Sequence, residues 1–189
     1  MESQRYAFEL FSAPVAAVSD HDLVLFFHRV IQDGALPETC VDVTDYSHVP
    51  GGPGVMLICH EAHYSLSRSR GSLRLRCATK RGAEGDTEAR IRRVLAKTLR
   101  AAAALEAHPS LEGRVTLDTT RAVLSIEDRL IAPNSEETFA AFAPVLARVV
   151  TGVWGASPVL ARVGSDKECF QVEITVPSGP KVTELLARV

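Results

Sequence analysis

Two stretches of the chain carry the same succession of apolar patterns, at an offset of about 118 residues. In residues 5–63, a strand-like segment is followed by a helical pattern that begins at Ser19 and then by two more strand-like segments. Residues 122–176 repeat this order, with a helical pattern that begins at Ser135. Because strands and helices bury their apolar sides against one another, this order predicts an α+β fold.

The recurrence is typical of an internal duplication, although the two stretches share little sequence identity. In that interpretation, units 5–80 and 114–189 are joined by a helix over 86–107 and form a single α+β domain over 1–189. The units would build one antiparallel or mixed sheet of about eight strands, with helices packed on it and pseudo-twofold symmetry. A chance match in the order of elements is the alternative.

Local signals predict where the helices of the two stretches begin and end. Ser19 and Ser135 are typical N-cap residues, and Gly34 and Gly152 stand where each helical pattern is expected to stop. Pro144 lies inside the second pattern and predicts either a kink or a later helix start.

Three strand predictions bear on the location of a site. Residues 55–66, VMLICHEAHYSL, are predicted to form one central strand, because their first half is apolar on both faces. Residues 72–79 alternate, so two leucines and Cys77 share one face and the arginines share the other. Residues 114–119 and 122–130 are predicted as two strands separated by a turn.

The composition limits the class of protein. With 46% hydrophobic and 23% charged residues and a net charge of −2, the chain is expected to fold as a soluble domain. No apolar run approaches the roughly 20 residues that a membrane span needs, and no signal peptide is recognisable, so a cytoplasmic location is expected. The four cysteines, Cys40, Cys59, Cys77 and Cys169, lack CxxC spacing and are interpreted as buried thiols rather than disulfides or zinc ligands.

Charge is distributed unevenly along the chain. Residues 68–100 contain eleven Lys and Arg against three acidic residues, a net charge of +8, so the rest of the chain carries −10. On the predicted helix, four cations at spacings of three, four and three fall within roughly 80° of one another. Two further arginines lie on the preceding predicted strand, where they alternate with leucines. The six predicted anion- or partner-binding residues are Arg74, Arg76, Arg90, Arg93, Lys97 and Arg100. A solvated helix face with local ion pairs is the alternative interpretation.

The basic segment predicts an anionic partner. A partner protein, self-association through an acidic face of a second copy, and a small anionic ligand are all compatible with it. Nucleic acid is disfavoured, because no aromatic side chains interleave the arginines and the net charge is negative. No membrane partner and no cofactor are predicted.

A second set of polar residues lies in DYSHVPGGPGVMLICHEAHYSL, residues 45–66. Asp45, His48, Glu61 and His63 form the alternative set of metal ligands, since a turn could bring two strands together. The spacing is HExH rather than the HExxH of zinc proteases, and strand alternation predicts that Glu61 and His63 share a face while His60 points to the other.

Two functions therefore remain open from the sequence. The first is a non-enzymatic binding or interaction module for a partner protein or a small anionic ligand. The alternative is a metal-dependent hydrolase or related enzyme that uses the four residues of the 45–66 stretch.

Overall fold

The computed structural model describes residues 5–14, 18–69, 71–80, 84–111 and 113–189. These residues form eight strands and four helices: β1 (Tyr6–Pro14), α1 (Asp20–Gln32), β2 (Cys40–Tyr46), β3 (Gly54–Cys59), β4 (Ala62–Ser69), β5 (Ser72–Thr79), α2 (Thr87–Glu106), β6 (Leu117–Ile126), α3 (Glu136–Trp154), β7 (Val159–Val163), β8 (Phe170–Thr175) and α4 (Val182–Leu186). None of the helices in these ranges has the length and apolar character that crossing a membrane requires.

All eight strands of the described chain belong to one antiparallel sheet, in the order β2-β3-β4-β5-β1-β6-β8-β7. This confirms the predicted α+β class and the sheet of about eight strands. β1 and β6 are central neighbours, and each is followed by a helix that leads to an edge strand, β2 or β7. From each edge, the chain returns strand by strand toward the centre. The proposed duplication and its pseudo-twofold symmetry stay a prediction.

The two faces of the sheet differ in chemistry. Along β5, Leu73, Leu75 and Cys77 are fully buried in the core cluster, together with the apolar residues of α1, α2 and α3. Arg74 and Arg76 alternate with them and therefore lie on the opposite face. In the described residues the four helices contribute to a single apolar core on one face of the sheet. The opposite face, which carries Arg74 and Arg76, is called the polar face below.

The predicted N-caps are confirmed. Ser19 accepts the backbone N–H of Asp22, whose carboxylate accepts the Ser19 N–H in return, which completes a capping box. The side chains of Asp86 and Ser135 accept backbone N–H groups at the start of α2 and α3.

The predicted end of α3 is wrong by three residues. The helix continues past Gly152 to bury Val153 and Trp154, and it ends at Gly155, whose φ of 75° is left-handed. The helix also starts at Glu136, so Pro144 lies in its interior and does not mark a later start.

Two strand predictions need correction. Residues 55–66 are two antiparallel strands, β3 and β4, joined by a two-residue turn at His60 and Glu61. That turn contains neither glycine nor asparagine, the usual signals of a short hairpin loop. Conversely, 117–126 is one strand: Leu10 pairs with Ala122 and Phe11 with Asp118, so the predicted turn is an irregularity in the β1–β6 register.

Candidate functional site

A cavity of about 730 Å³ lies at one end of the sheet, where the first half of α2 passes over the β3–β4 turn and the end of β5. This volume is within the range of natural ligand pockets. Its wall contains five cationic side chains, Lys80, Arg92, Arg93, Lys97 and Arg100, and three carboxylates, Glu38, Glu61 and Glu84. The lining side chains therefore carry a cationic excess.

Lys97 is the buried cation of this cavity. Its ammonium lies 2.8 Å from Glu38 Oε1 and 2.9 Å from Glu61 Oε2, and its side chain is only 7% exposed. Burial alone would lower the pKa of Lys97, but the hydrogen bonds and charges of the two carboxylates outweigh burial and raise it above its ordinary value. Lys97 therefore remains charged, and its charge is matched within the protein.

Glu38, which lies in the loop between α1 and β2, forms an ion pair with Lys97. Its side chain is 2% exposed, and its Oε1 also accepts a hydrogen bond from the Tyr64 hydroxyl. Tyr64 reaches this point because it lies on the core face of β4, between Ala62 and Leu66. Glu38 Oε2 is buried and has no hydrogen-bond partner in the described part of the chain.

Helix periodicity explains why Lys97 is buried while its neighbours on the same side are not. Lys97 follows the buried Val94 by three residues and precedes the buried Ala101 by four, so it lies at the margin of the apolar stripe. Arg93 and Arg100 lie further round the helix and are exposed. The expected solvent-facing row of cations therefore holds for these two arginines but not for Lys97.

The cavity rim contains three arginines, which differ in their pairing with carboxylates of the described chain. Within the described residues, no acidic side chain lies within ion-pair distance of Arg93 or Arg100, whereas Arg92 pairs with Glu88 at 3.0 Å. The hydrogen bond and charge of Lys97 lower the pKa of Glu61, and Arg93 contributes further to this shift. Arg93 and Arg100 are thus the cations best placed to meet an anion from solution.

The six predicted anion-binding residues do not form one surface. Arg93, Lys97 and Arg100 line the cavity, and the half-buried Arg90, on the same helix, lies outside its lining. Arg74 and Arg76 lie across the sheet, on its polar face.

Arg74 and Arg76 each have a carboxylate partner within the chain. Arg76 Nε lies 3.0 Å from Glu9 Oε1, and its Nη2 contacts Glu127. Arg74 Nη1 lies 3.7 Å from the other oxygen of Glu9.

Much of the charge imbalance along the sequence is compensated inside the molecule. Cations of residues 68–100 pair with acids from the rest of the chain: Asp20 for Arg68, Glu9 and Glu127 for the β5 arginines, and Glu38 and Glu61 for Lys97. The sheet order brings these segments together, because β5 lies beside β1, and α2 packs over both strands. Self-association through complementary faces stays a prediction.

The alternative metal ligands are not brought together. Asp45 and His48 lie at the β2–β3 turn, whereas Glu61 and His63 lie at the other end of β3. The six residues of β3 separate these two ends by roughly 17 Å. In residues 5–14, 18–69, 71–80, 84–111 and 113–189, no group of three or more His, Cys, Asp or Glu side chains could hold a metal ion.

The prediction that Glu61 and His63 share a face is also wrong. Glu61 belongs to the turn rather than to a strand, and it reaches Lys97 on the helix-covered side. His63 alternates with the core residues Ala62 and Tyr64 and therefore lies on the polar face. Burial, followed by the charge of Lys80, lowers the pKa of His63.

Sequence reasoning missed Glu38, Lys80 and Arg92 of the cavity wall, and it missed Tyr64, which lies behind the wall and donates a hydrogen bond to Glu38. Arg92 was identifiable as part of the basic helix. Lys80 follows a predicted strand and belongs to the basic segment. Glu38 and Tyr64 carried no local signal, because each meets Lys97 or its partner only through the arrangement of the sheet.

The arrangement suits recognition of a small anion. Guanidinium groups present parallel N–H donors that match carboxylate and phosphate oxygens, and those of Arg93 and Arg100 border a recess whose deepest cation is already neutralised. No protein-family model matches this chain, and no curated protein shows significant sequence similarity to it.

Proposed function

We propose that this protein is a binding module that holds a small anionic ligand in the cavity beside α2. The observation that supports this proposal is the pairing pattern of the cavity's cations. Lys97 is neutralised by Glu38 and Glu61, whereas Arg93 and Arg100 line the same cavity with no carboxylate within ion-pair distance in the described chain. A ligand anion would supply the missing negative charge.

The size and charge of the cavity favour a metabolite-sized ligand that carries phosphate or carboxylate groups. A volume of about 730 Å³ is ample for such a molecule. The chain as a whole has a net charge of −2, which disfavours the approach of long polyanions. The local cationic excess at the cavity is therefore better matched to a compact anion.

Lys97 has a positioning role in this proposal. An ammonium group has three N–H donors, and two of them are directed to Glu38 and Glu61. The two carboxylates fix the position of the ammonium before any ligand arrives, which reduces the entropic cost of using its third donor.

Calorimetric titration with pyrophosphate and with citrate tests the proposal. The wild-type protein is expected to bind at least one of these probes saturably, with an affinity that falls as salt is added. Combining Arg93→Gln with Arg100→Gln should weaken binding by about a hundredfold or more, since each of the two charge-assisted hydrogen bonds contributes about 1.5–3 kcal/mol.

Arg129→Gln is the matched control, because Arg129 is an exposed arginine on the polar face of the sheet. It should leave the affinity unchanged. Far-ultraviolet circular dichroism should show that all variants are folded. The proposal is wrong if neither probe binds saturably, or if the control weakens binding as much as the cavity variant does.

A further inference from the structure

Two free thiols face each other at the edge of the sheet. Cys40 at the start of β2 and Cys59 at the end of β3 are directly opposed in the strand register. Their sulfur atoms are 2.9 Å apart. The prediction that the cysteines are separate buried thiols did not anticipate this pair.

The strand pairing gives the two cysteines a backbone geometry suited to a disulfide. The neighbouring pair, Thr39 and His60, is hydrogen-bonded, with the His60 N–H donating to the Thr39 carbonyl at 2.9 Å. Hydrogen-bonded and non-hydrogen-bonded pairs alternate along antiparallel strands, so Cys40 and Cys59 form a non-hydrogen-bonded pair. Such pairs have Cα atoms about 4.5 Å apart, within the range that disulfides occupy.

The two thiols differ in accessibility. Cys40 is half-buried and can be reached from solvent, whereas Cys59 is fully buried. The register between β2 and β3 shifts immediately after Cys40, so the regular hydrogen bonding between the two strands is interrupted there. Cys77 lies on β5, which β3 and β4 separate from β2, and Cys169 lies near the polar face beside the start of β8, so neither faces Cys40.

We propose that Cys40 and Cys59 form a reversible disulfide by exchange with a low-molecular-weight disulfide. The Cys40 thiolate attacks one sulfur of the reagent, which forms a mixed disulfide and releases one reagent thiolate. The Cys59 thiolate then attacks the Cys40 sulfur and releases the second reagent thiolate. The protein pair is oxidised by two electrons, the reagent disulfide is reduced to two thiols, and the two protons of the cysteines pass to the released thiolates.

This modification site is independent of the anion-binding proposal, although the two are neighbours. Cys40 follows Glu38 by two residues, and Cys59 immediately precedes His60 and accepts a hydrogen bond from Lys80 through its carbonyl oxygen. The bond would therefore join two segments of the cavity wall. It would also close a loop at the edge of the sheet, which restricts the unfolded chain and should raise the melting temperature.

Oxidised glutathione is the probe for this proposal. After incubation with it, the remaining thiols are alkylated, and the disulfide is located by peptide mass spectrometry without reduction. Wild-type protein should yield a Cys40–Cys59 linked peptide that a reductant abolishes, while Cys77 and Cys169 stay alkylated. The oxidised protein should melt at a higher temperature than the reduced protein.

Two variants separate this pair from the other cysteines. Cys40→Ser should abolish the intramolecular disulfide, and Cys169→Ser should leave it unchanged. The wild-type peptide map gives a result even if a variant folds poorly. The proposal is overturned if all four thiols remain alkylatable, if glutathione stays attached to Cys40, or if the linked peptide contains Cys77 or Cys169.

Discussion

Replacing Lys97 with methionine should destabilise the protein, because it leaves a buried carboxylate without its cation. The change keeps most of the apolar length of the side chain but removes the cation that lies 2.8 Å from Glu38 Oε1. At an effective dielectric constant of about 20, the lost attraction is about 6 kcal/mol. Glu38, at 2% exposure, would then be a buried carboxylate without a cation, and breaking such a pair costs about 3–5 kcal/mol. The expected loss of unfolding free energy is therefore about 3–5 kcal/mol, because local relaxation and the entry of water around Glu38 offset part of the lost attraction.

Urea unfolding followed by the fluorescence of Trp154 measures this effect, because Trp154 is the only tryptophan and is buried. Adding Glu38→Gln to the Lys97→Met variant should recover most of the loss, since the amide oxygen can still accept from Tyr64. Arg100→Met is the control, because it removes an exposed cation and should change stability by less than about 1 kcal/mol. A loss below about 1 kcal/mol, or a loss that Glu38→Gln does not relieve, would refute the reasoning.

Three further predictions use the same unfolding assay. Glu61→Gln should lower the free energy of unfolding by less than about 1 kcal/mol, because Glu61 is 66% exposed and Lys97 keeps its buried partner Glu38. Since Lys97 lowers the pKa of Glu61, the stabilisation from this ion pair should disappear as the pH falls below the ordinary glutamate value of 4.5. Burial lowers the pKa of His63, so wild-type stability should fall as the pH drops through the ordinary histidine value of 6.5. In His63→Gln this part of the pH-dependent destabilisation should be absent. Gly54→Ala should lower the free energy of unfolding by at least about 2 kcal/mol more than Gly51→Ala. Both glycines have positive φ, but of the two only Gly54 would bring the new Cβ against the Leu66 carbonyl oxygen; equal losses would contradict this account.

The features that could be predicted from the sequence depend on short-range interactions. The Ser19 and Ser135 caps are formed with residues three positions away, so their signal lies within one helical turn. Alternation along β5 likewise predicted the separation of its leucines from Arg74 and Arg76. The same alternation implied that these two arginines face away from the helices, and hence away from α2.

The features that escaped prediction depend on long-range topology. Glu38 and Lys97 are 59 residues apart, and nothing near either residue indicates that the α1–β2 loop lies against α2. Asp45 is separated from Glu61 by the length of β3, since Asp45 pairs with Val55 at the other end of that strand. The turn at His60, which lacks a conventional turn residue, instead places Glu61 outside the strand and beside Lys97. Predicting the cavity therefore required the sheet order, whereas the cations of α2 that line it could be identified from the sequence.

Mapping a bound anion by nuclear magnetic resonance tests the central claim most directly. Pyrophosphate would be titrated into isotope-labelled protein while the backbone amide shifts are followed. The largest saturable changes are expected at residues 60–61, at Lys80 and at residues 93–100, which surround the cavity. Changes centred instead on Arg76 and Arg129 of the polar face, or shifts that never saturate, would contradict the assignment of the cavity as an anion-binding site.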